Sequence, residues 1–153
     1  MASEPLTRCE FESHDLLVKV DLILPADVNA ISPVVGQVMT VIREMGCAGG
    51  KEFEIELSLR EALANAIEHG SGNDPSKQVQ CCVACDHARG MLIVVRDPGP
   101  GFDPASIPSP IVGQNLFSTG GRGIYLINQL MDEVRFERGG TEIHMRKNPP
   151  AAV

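Results

Sequence analysis

The chain has 153 residues, enough for a single domain with one proper core. Hydrophobic residues make up 43%, which excludes wholesale disorder, and with few aromatics and no Trp the core must be mostly aliphatic. Thirteen basic residues against twenty acidic ones give a formal charge of -7, which opposes nucleic-acid binding, since that rests on neutralising phosphates with Lys and Arg.

Met1 to Asp15 is polar and partly acidic, without the positive start and apolar run of a secretory signal. A flexible N-terminal segment is expected over 1–15. Leu16, Val18, Val20, Leu22 and Leu24 alternate with Leu17, Lys19, Asp21 and Ile23, a period of two that predicts a strand with one apolar face. Lys19 and Asp21 interrupt this run, and it is far too short to span a bilayer. Pro25-Ala26-Asp27 breaks it. Ile31, Val34, Val35, Val38, Val41, Ile42 and Met45 then recur at helical spacing. Ser32-Pro33 looks like an N-cap and first-turn proline, although the helix could begin a turn earlier at Asp27. Gly46 and Gly49-Gly50 close it.

A second helix is predicted from about Phe53 to His69, with Ile55, Leu59, Ala62, Leu63 and Ala66 as its buried stripe and a Gly/Asn/Asp/Pro loop after Gly70. Gln78 to Cys85 and Met91 to Arg96 flank a Gly-containing turn and read as a hairpin. Phe102 to Thr119 has three prolines and no steady period, a long loop of the kind that is often functional. Gly120-Gly121-Arg122-Gly123 leads into a short apolar helix over Ile124 to Met131. Glu133 to Arg138 and Thr141 to Arg146 make a terminal hairpin, and the tail from Asn148 is frayed. The organisation is therefore one domain over 16–147 with a disordered tail at 148–153. Its fold class is α/β (α+β): a two-layer sandwich, with a mixed, mainly antiparallel sheet and helices on one face.

Five Cys, an odd number without secretory context, read as reduced thiols in a cytoplasm. Cys81, Cys82 and Cys85 lie in a strand pattern without the four spaced ligands of a zinc site, so they read as ordinary strand cysteines. The four His are scattered.

Three patterns carry chemistry. Glu61 and Asn65, four apart on a helix, share a face that is not the apolar stripe. A carboxylate there can take a proton from a hydroxyl, and the Asn65 amide oxygen can ligate a hard cation such as Mg2+. The same pair also suits a solvated helix face. Asp97-Pro98-Gly99-Pro100-Gly101 ends a strand in a rigid turn, where a buried Asp needs a donor such as an adenine amine. It also reads as a plain β-turn with a capping Asp. The glycines at 120–123 at a helix start bring backbone N–H groups toward a phosphate, with Arg122 adding a charged contact, or else form a helix-start turn.

Taken together, Glu61-x-x-x-Asn65, Asp97-x-Gly99-x-Gly101, Gly121-x-Gly123 and Gly140-Thr141 resemble the successive boxes of the GHKL (Bergerat-fold) ATPase superfamily. Within it, Leu16 to Arg146 resembles the stand-alone anti-sigma factor serine/threonine kinases of bacteria, in Glu61 to Gly70 and Gly120 to Ile127 above all. The resemblance implies ATP and Mg2+ as cofactors, Glu61 as catalytic base and Asn65 as metal ligand. It implies that Asp97 accepts from the adenine amine, with Thr141 supporting the base through water. Gly99, Gly101, Gly121 and Gly123 would shape the pocket and its lid, with Ile124 following them in the nucleotide-binding set. His69 would close the helix near the phosphates, or complement the helix dipole.

Some members carry an Arg ahead of the second glycine pair; here Ser118-Thr119 stands there and Arg122 lies between the glycines. The leading expectation is a cytoplasmic kinase that phosphorylates a small antagonist protein and engages a sigma factor, without nucleic acid or membrane. A homodimer is plausible from the resemblance, with the outward face of the first strand available. The alternatives are a nucleotide-dependent module that sequesters its partner without efficient transfer, and an ATPase that hydrolyses.

Overall fold

A computed structural model describes residues 18–86, 89–99 and 119–149. Strand β1 spans Val18–Pro25, where the period-two run places it. A 3-10 turn, Val28–Ala30, then leads without a break into helix α1, Ile31–Met45. The Asp27 side chain accepts from the Asn29 N–H at 2.9 Å, so the helical segment starts at the earlier of the two expected places. The reading of Ser32 as N-cap is therefore corrected. Ser32 lies inside the helix, where its hydroxyl accepts from Arg60 at 3.1 Å. Pro33 stands in the first turn of α1, just after the 3-10 segment. Gly46 ends α1 in the left-handed conformation (φ 68°), as its position suggests.

Helix α2 spans Glu52–Asn65 and continues as one π-helical turn over Ala66–Gly70. Strands β2 (Gln78–Asp86) and β3 (Gly90–Arg96) form the expected hairpin. Helix α3 is Thr119–Leu130, and β4 (Glu133–Glu137) and β5 (Glu142–Lys147) close the chain. The glycines at 120–123 thus lie within the first turns of α3 rather than in a turn preceding it. The expected loop from Phe102 falls outside the described residues, as do the N-terminal segment and most of the tail.

The strands form one sheet in the order β1-β2-β3-β5-β4, and all four pairings are antiparallel. The architecture is the expected α/β sandwich. Alternation decides what each face carries. Leu24, Val83, Ile93, Val95 and Met145 meet Val38 and Ile42 of α1, Leu59 and Leu63 of α2 and Ile127 of α3 in one core. The opposite face carries a smaller buried cluster of Cys82, Ala84, Leu92 and Val94, so Cys81 and Cys82 do point to opposite sides.

The thiol reading needs one correction. Cys47, just after α1, is bonded to Cys85 near the end of β2, across 38 residues. Among the described residues, Cys81 and Cys82 are buried and take no part in this disulfide. Burial, with a smaller push from Asp21, drives the Cys81 thiol up to about 12.

Candidate functional site

Helix α2 organises the site because it places polar groups over its last turns while its apolar stripe sits in the core. Ile55, Leu59, Ala62 and Leu63 are buried, and Glu61 and Asn65 are half-buried on another side. The first turns of α3 lie directly against that side. Gly123 is buried, and a Cβ built there would stand 2.8 Å from Glu61 Oε2 and 3.6 Å from Asn65 Nδ2. A side chain here would push the Glu61 carboxylate aside while meeting Asn65 at ordinary contact distance. Glycine lets α3 lie against the carboxylate in the position it holds.

A second group gathers where α2 ends. Asp97 follows β3, and its N–H donates to the Thr141 carbonyl at 2.9 Å. Its Oδ1 accepts from the Gly99 N–H at 2.8 Å. The carboxylate rests against the α-carbon of Gly70, the last residue of the π turn: a Cβ there would come within 2.5 Å of both carboxylate oxygens. A Cβ at Gly99 would collide with the Gly70 carbonyl and lie 2.9 Å from Asp97 Oδ1. Burial raises the Asp97 pKa above the usual carboxylate range, and the Gly99 hydrogen bond only partly opposes this. Among the described residues nothing donates to Asp97 Oδ2, so one acceptor oxygen of a partly desolvated carboxylate remains available. This fits a ligand that presents an N–H. An adenine amine is such a donor.

The structure therefore gathers the expected residues in two groups along one helix end. Glu61, Asn65 and Gly123 meet in one; Asp97, Gly99 and the backbone of Thr141 meet in the other. By helical rise, roughly 13 Å of chain runs from Glu61 to Gly70. The Thr141 hydroxyl donates to the Arg138 carbonyl at 2.8 Å, so its direct link to Asp97 runs through the backbone. His69 is exposed at the π turn, and Ile124 is half-buried in α3. Gly121 and Arg122 lie in the first turn of α3, and Gly101 lies outside the described residues. Gly70 was not among the expected site residues. Its signal was its place between the helix carrying Glu61 and the loop that follows.

The Asn65 amide oxygen is of a type that could ligate a hard cation, with water and phosphate oxygens supplying the rest of its shell. A different set of ligand atoms lies on the sheet face away from the core. Glu137, Glu142 and His144 bring theirs within 4.8 Å of one another. His144 Nε2 is 2.7 Å from Glu142 Oε1, while Arg135 pairs with Glu137 at 2.9 Å and Arg96 lies 4.0 Å from Glu142. Each carboxylate already has a cationic neighbour, so the cluster reads as an ion-pair network.

A sheet backed by helices, with a polar helix end facing a glycine-rich helix start and a strand-end aspartate, defines a nucleotide-binding ATPase domain. The chain belongs to the histidine kinase-like ATPase domain family, whose model matches residues 24–147. Among its relatives is the serine-protein kinase RsbW of Bacillus subtilis (strain 168), 27% identical over 137 residues covering 84% of each chain. The protein of that name from Bacillus licheniformis is 31% identical over 117 residues, 70% of this chain and 71% of the relative. That from Staphylococcus epidermidis is 26% identical over 136 residues, covering 84% and 85%. Among the described residues, no helix is long and apolar enough to cross a membrane.

Proposed function

We propose that this chain is an ATP-dependent protein serine/threonine kinase of the anti-sigma type. It phosphorylates a hydroxyl on a small antagonist protein and, through that exchange of partners, controls a sigma factor in the cytoplasm. One kinase domain over 16–147 does this, alone or as a homodimer. The observation that carries the reading is the seat of Gly123 on Glu61 and Asn65, together with relatives named as serine-protein kinases.

In this reading Asp97 receives the adenine amine on its available oxygen, and Gly99 holds the carboxylate for it. Asn65 would hold Mg2+, which would supply neutralisation of phosphate charge. Glu61 takes the proton of the substrate hydroxyl, beside Gly123, whose lack of a side chain leaves the carboxylate where it stands. Most of the rate comes from positioning and charge neutralisation, since the protein has little covalent work to do. Gly121, Gly101, Arg122 and Ile124 complete the nucleotide site, Thr141 supports the adenine base, and His69 closes the helix near the phosphates.

The test uses labelled ATP, Mg2+ and the antagonist protein encoded nearby. Glu61→Gln is expected to lower transfer by roughly 100-fold while nucleotide affinity stays within a few-fold, as for loss of a general base. Absence of transfer by the wild-type chain, with nucleotide bound, overturns the kinase reading. That outcome favours a module that sequesters its partner, which the position of Arg122 between the glycines motivates. Phosphate release without any protein substrate would point to a hydrolysing ATPase.

A further inference from the structure

The Cys47–Cys85 bond ties the connection between α1 and α2 to the sheet, just after the end of α1 and ahead of the end of α2 away from Glu61 and Asn65. The connection it holds is weak by itself. Gly46, Gly49 and Gly50 all have positive φ (68°, 56° and 86°), so the segment between α1 and α2 has high backbone freedom once released. Lys51 stands at the N-cap of α2 without a capping hydrogen bond. The first intrahelical bond of α2 is Ile55 N–H to the Lys51 carbonyl, at 3.1 Å. Besides the bond, the connection is held by the buried Ala48, by the Cys47 N–H donating to the Ile42 carbonyl and by the Lys51 N–H donating to the Ala48 carbonyl at 2.9 Å.

We infer that Cys47–Cys85 is a reversible thiol–disulfide site, exchanging with a small thiol of the glutathione class, and that its redox state sets the order of the first turns of α2. The inference draws on the proposed cytoplasmic setting, where a disulfide is more often a transient redox site than a permanent staple. Access favours one sulfur. Cys47 is half-buried, whereas Cys85 is 2% exposed. A small thiolate attacks Cys47 Sγ, the protein S–S bond breaks, and the electron pair leaves on Cys85, which takes a proton. A second small thiolate attacks the sulfur of the first, forming the small disulfide. Cys47 then leaves as a thiolate and is protonated. Two small thiols are oxidised and one protein disulfide is reduced. Cys81 and Cys82, both buried, stay out of the exchange, and the raised thiol pKa of Cys81 keeps it unreactive.

The full chain is equilibrated in glutathione buffers of graded ratio, quenched with an alkylating reagent and mapped by mass spectrometry. Cys47 and Cys85 are expected to gain the label together as the buffer becomes reducing, while Cys81 and Cys82 remain unlabelled in the native protein. Cys47 and Cys85 thiols that do not pair in oxidised buffer overturn the inference. So does a bond that survives excess reduced glutathione at equilibrium. Hydrogen exchange is read in parallel. Amides from Ile55 to Leu57 should lose roughly tenfold more protection on reduction than those of β3, as a locally opened segment does. Unchanged amides, or an equal loss of protection throughout the molecule, contradict the tether. Cys47→Ser is expected to match the reduced wild type; should it not fold, the reduced wild type supplies the comparison. Neither readout depends on kinase activity, so failure of the kinase reading and failure of this inference are told apart.

Discussion

At the scale of single residues, two atoms of space decide the site. Gly123→Ala forces a methyl to 2.8 Å from Glu61 Oε2, so the carboxylate or α3 must move. A misplacement near 1 Å costs roughly 100-fold in rate, and phosphoryl transfer should fall by about that much while the protein stays folded. Initial rates of label transfer, with a melting curve alongside, check this. Asp97 gives a pH dependence. Because burial raises its pKa, the folded chain holds that proton more tightly than the unfolded chain. Its contribution to stability is therefore fullest in acid and is lost as pH rises through its folded-state pKa. Asp97→Asn should melt above the wild type at pH 7, and the gap should close as pH falls below the ordinary carboxylate range. A gap independent of pH would rule this account out. The motif residues were legible because glycine and aspartate signal their chemistry by type. Gly70 was not, because its role comes from a contact with Asp97, 27 positions away, that no spacing rule encodes.

At the scale of elements, α2 must satisfy the core and the site together. Leu59 is fully buried among α1 and sheet residues, so Leu59→Ala should cost about 2–5 kcal/mol in denaturant unfolding. The Arg43–Glu56–Arg60 pairs on the outer side of the helices are partly exposed, and removing Glu56 should change stability by less than about 1 kcal/mol. Period two and period 3.6 made the strands and both long helices readable. The start of α1 was ambiguous because two capping signals stand five residues apart; Asp27 takes the turn and Ser32 goes to Arg60. The start of α3 was misplaced because glycines at 120–123 look like a loop, although they lie in the helix, with Gly123 packed against Glu61 of α2.

At the scale of the molecule, the disulfide is the feature least visible in the sequence. Pairing five cysteines needs the fold, since β2 must bring Cys85 beneath the α1–α2 connection before Cys47 has a partner. By chain entropy a loop of 38 residues corresponds to at most about 4 kcal/mol. The reduced protein is therefore expected to melt several degrees below the oxidised one, read by calorimetry in the presence and absence of reductant.

The π turn at Ala66–Gly70 has a consequence for how this chain tolerates insertions and deletions. A π turn holds one residue more than the α-helix around it. Deleting Glu68, which is exposed, lets the turn rewind as ordinary helix while Glu61, Asn65 and the segment after Gly70 keep their places. Deleting Arg60 instead rotates Glu61 and Asn65 by about 100° against the buried stripe before them. The end of α2 is thus the one stretch of that helix where the length of the sequence and the phase of the site are uncoupled.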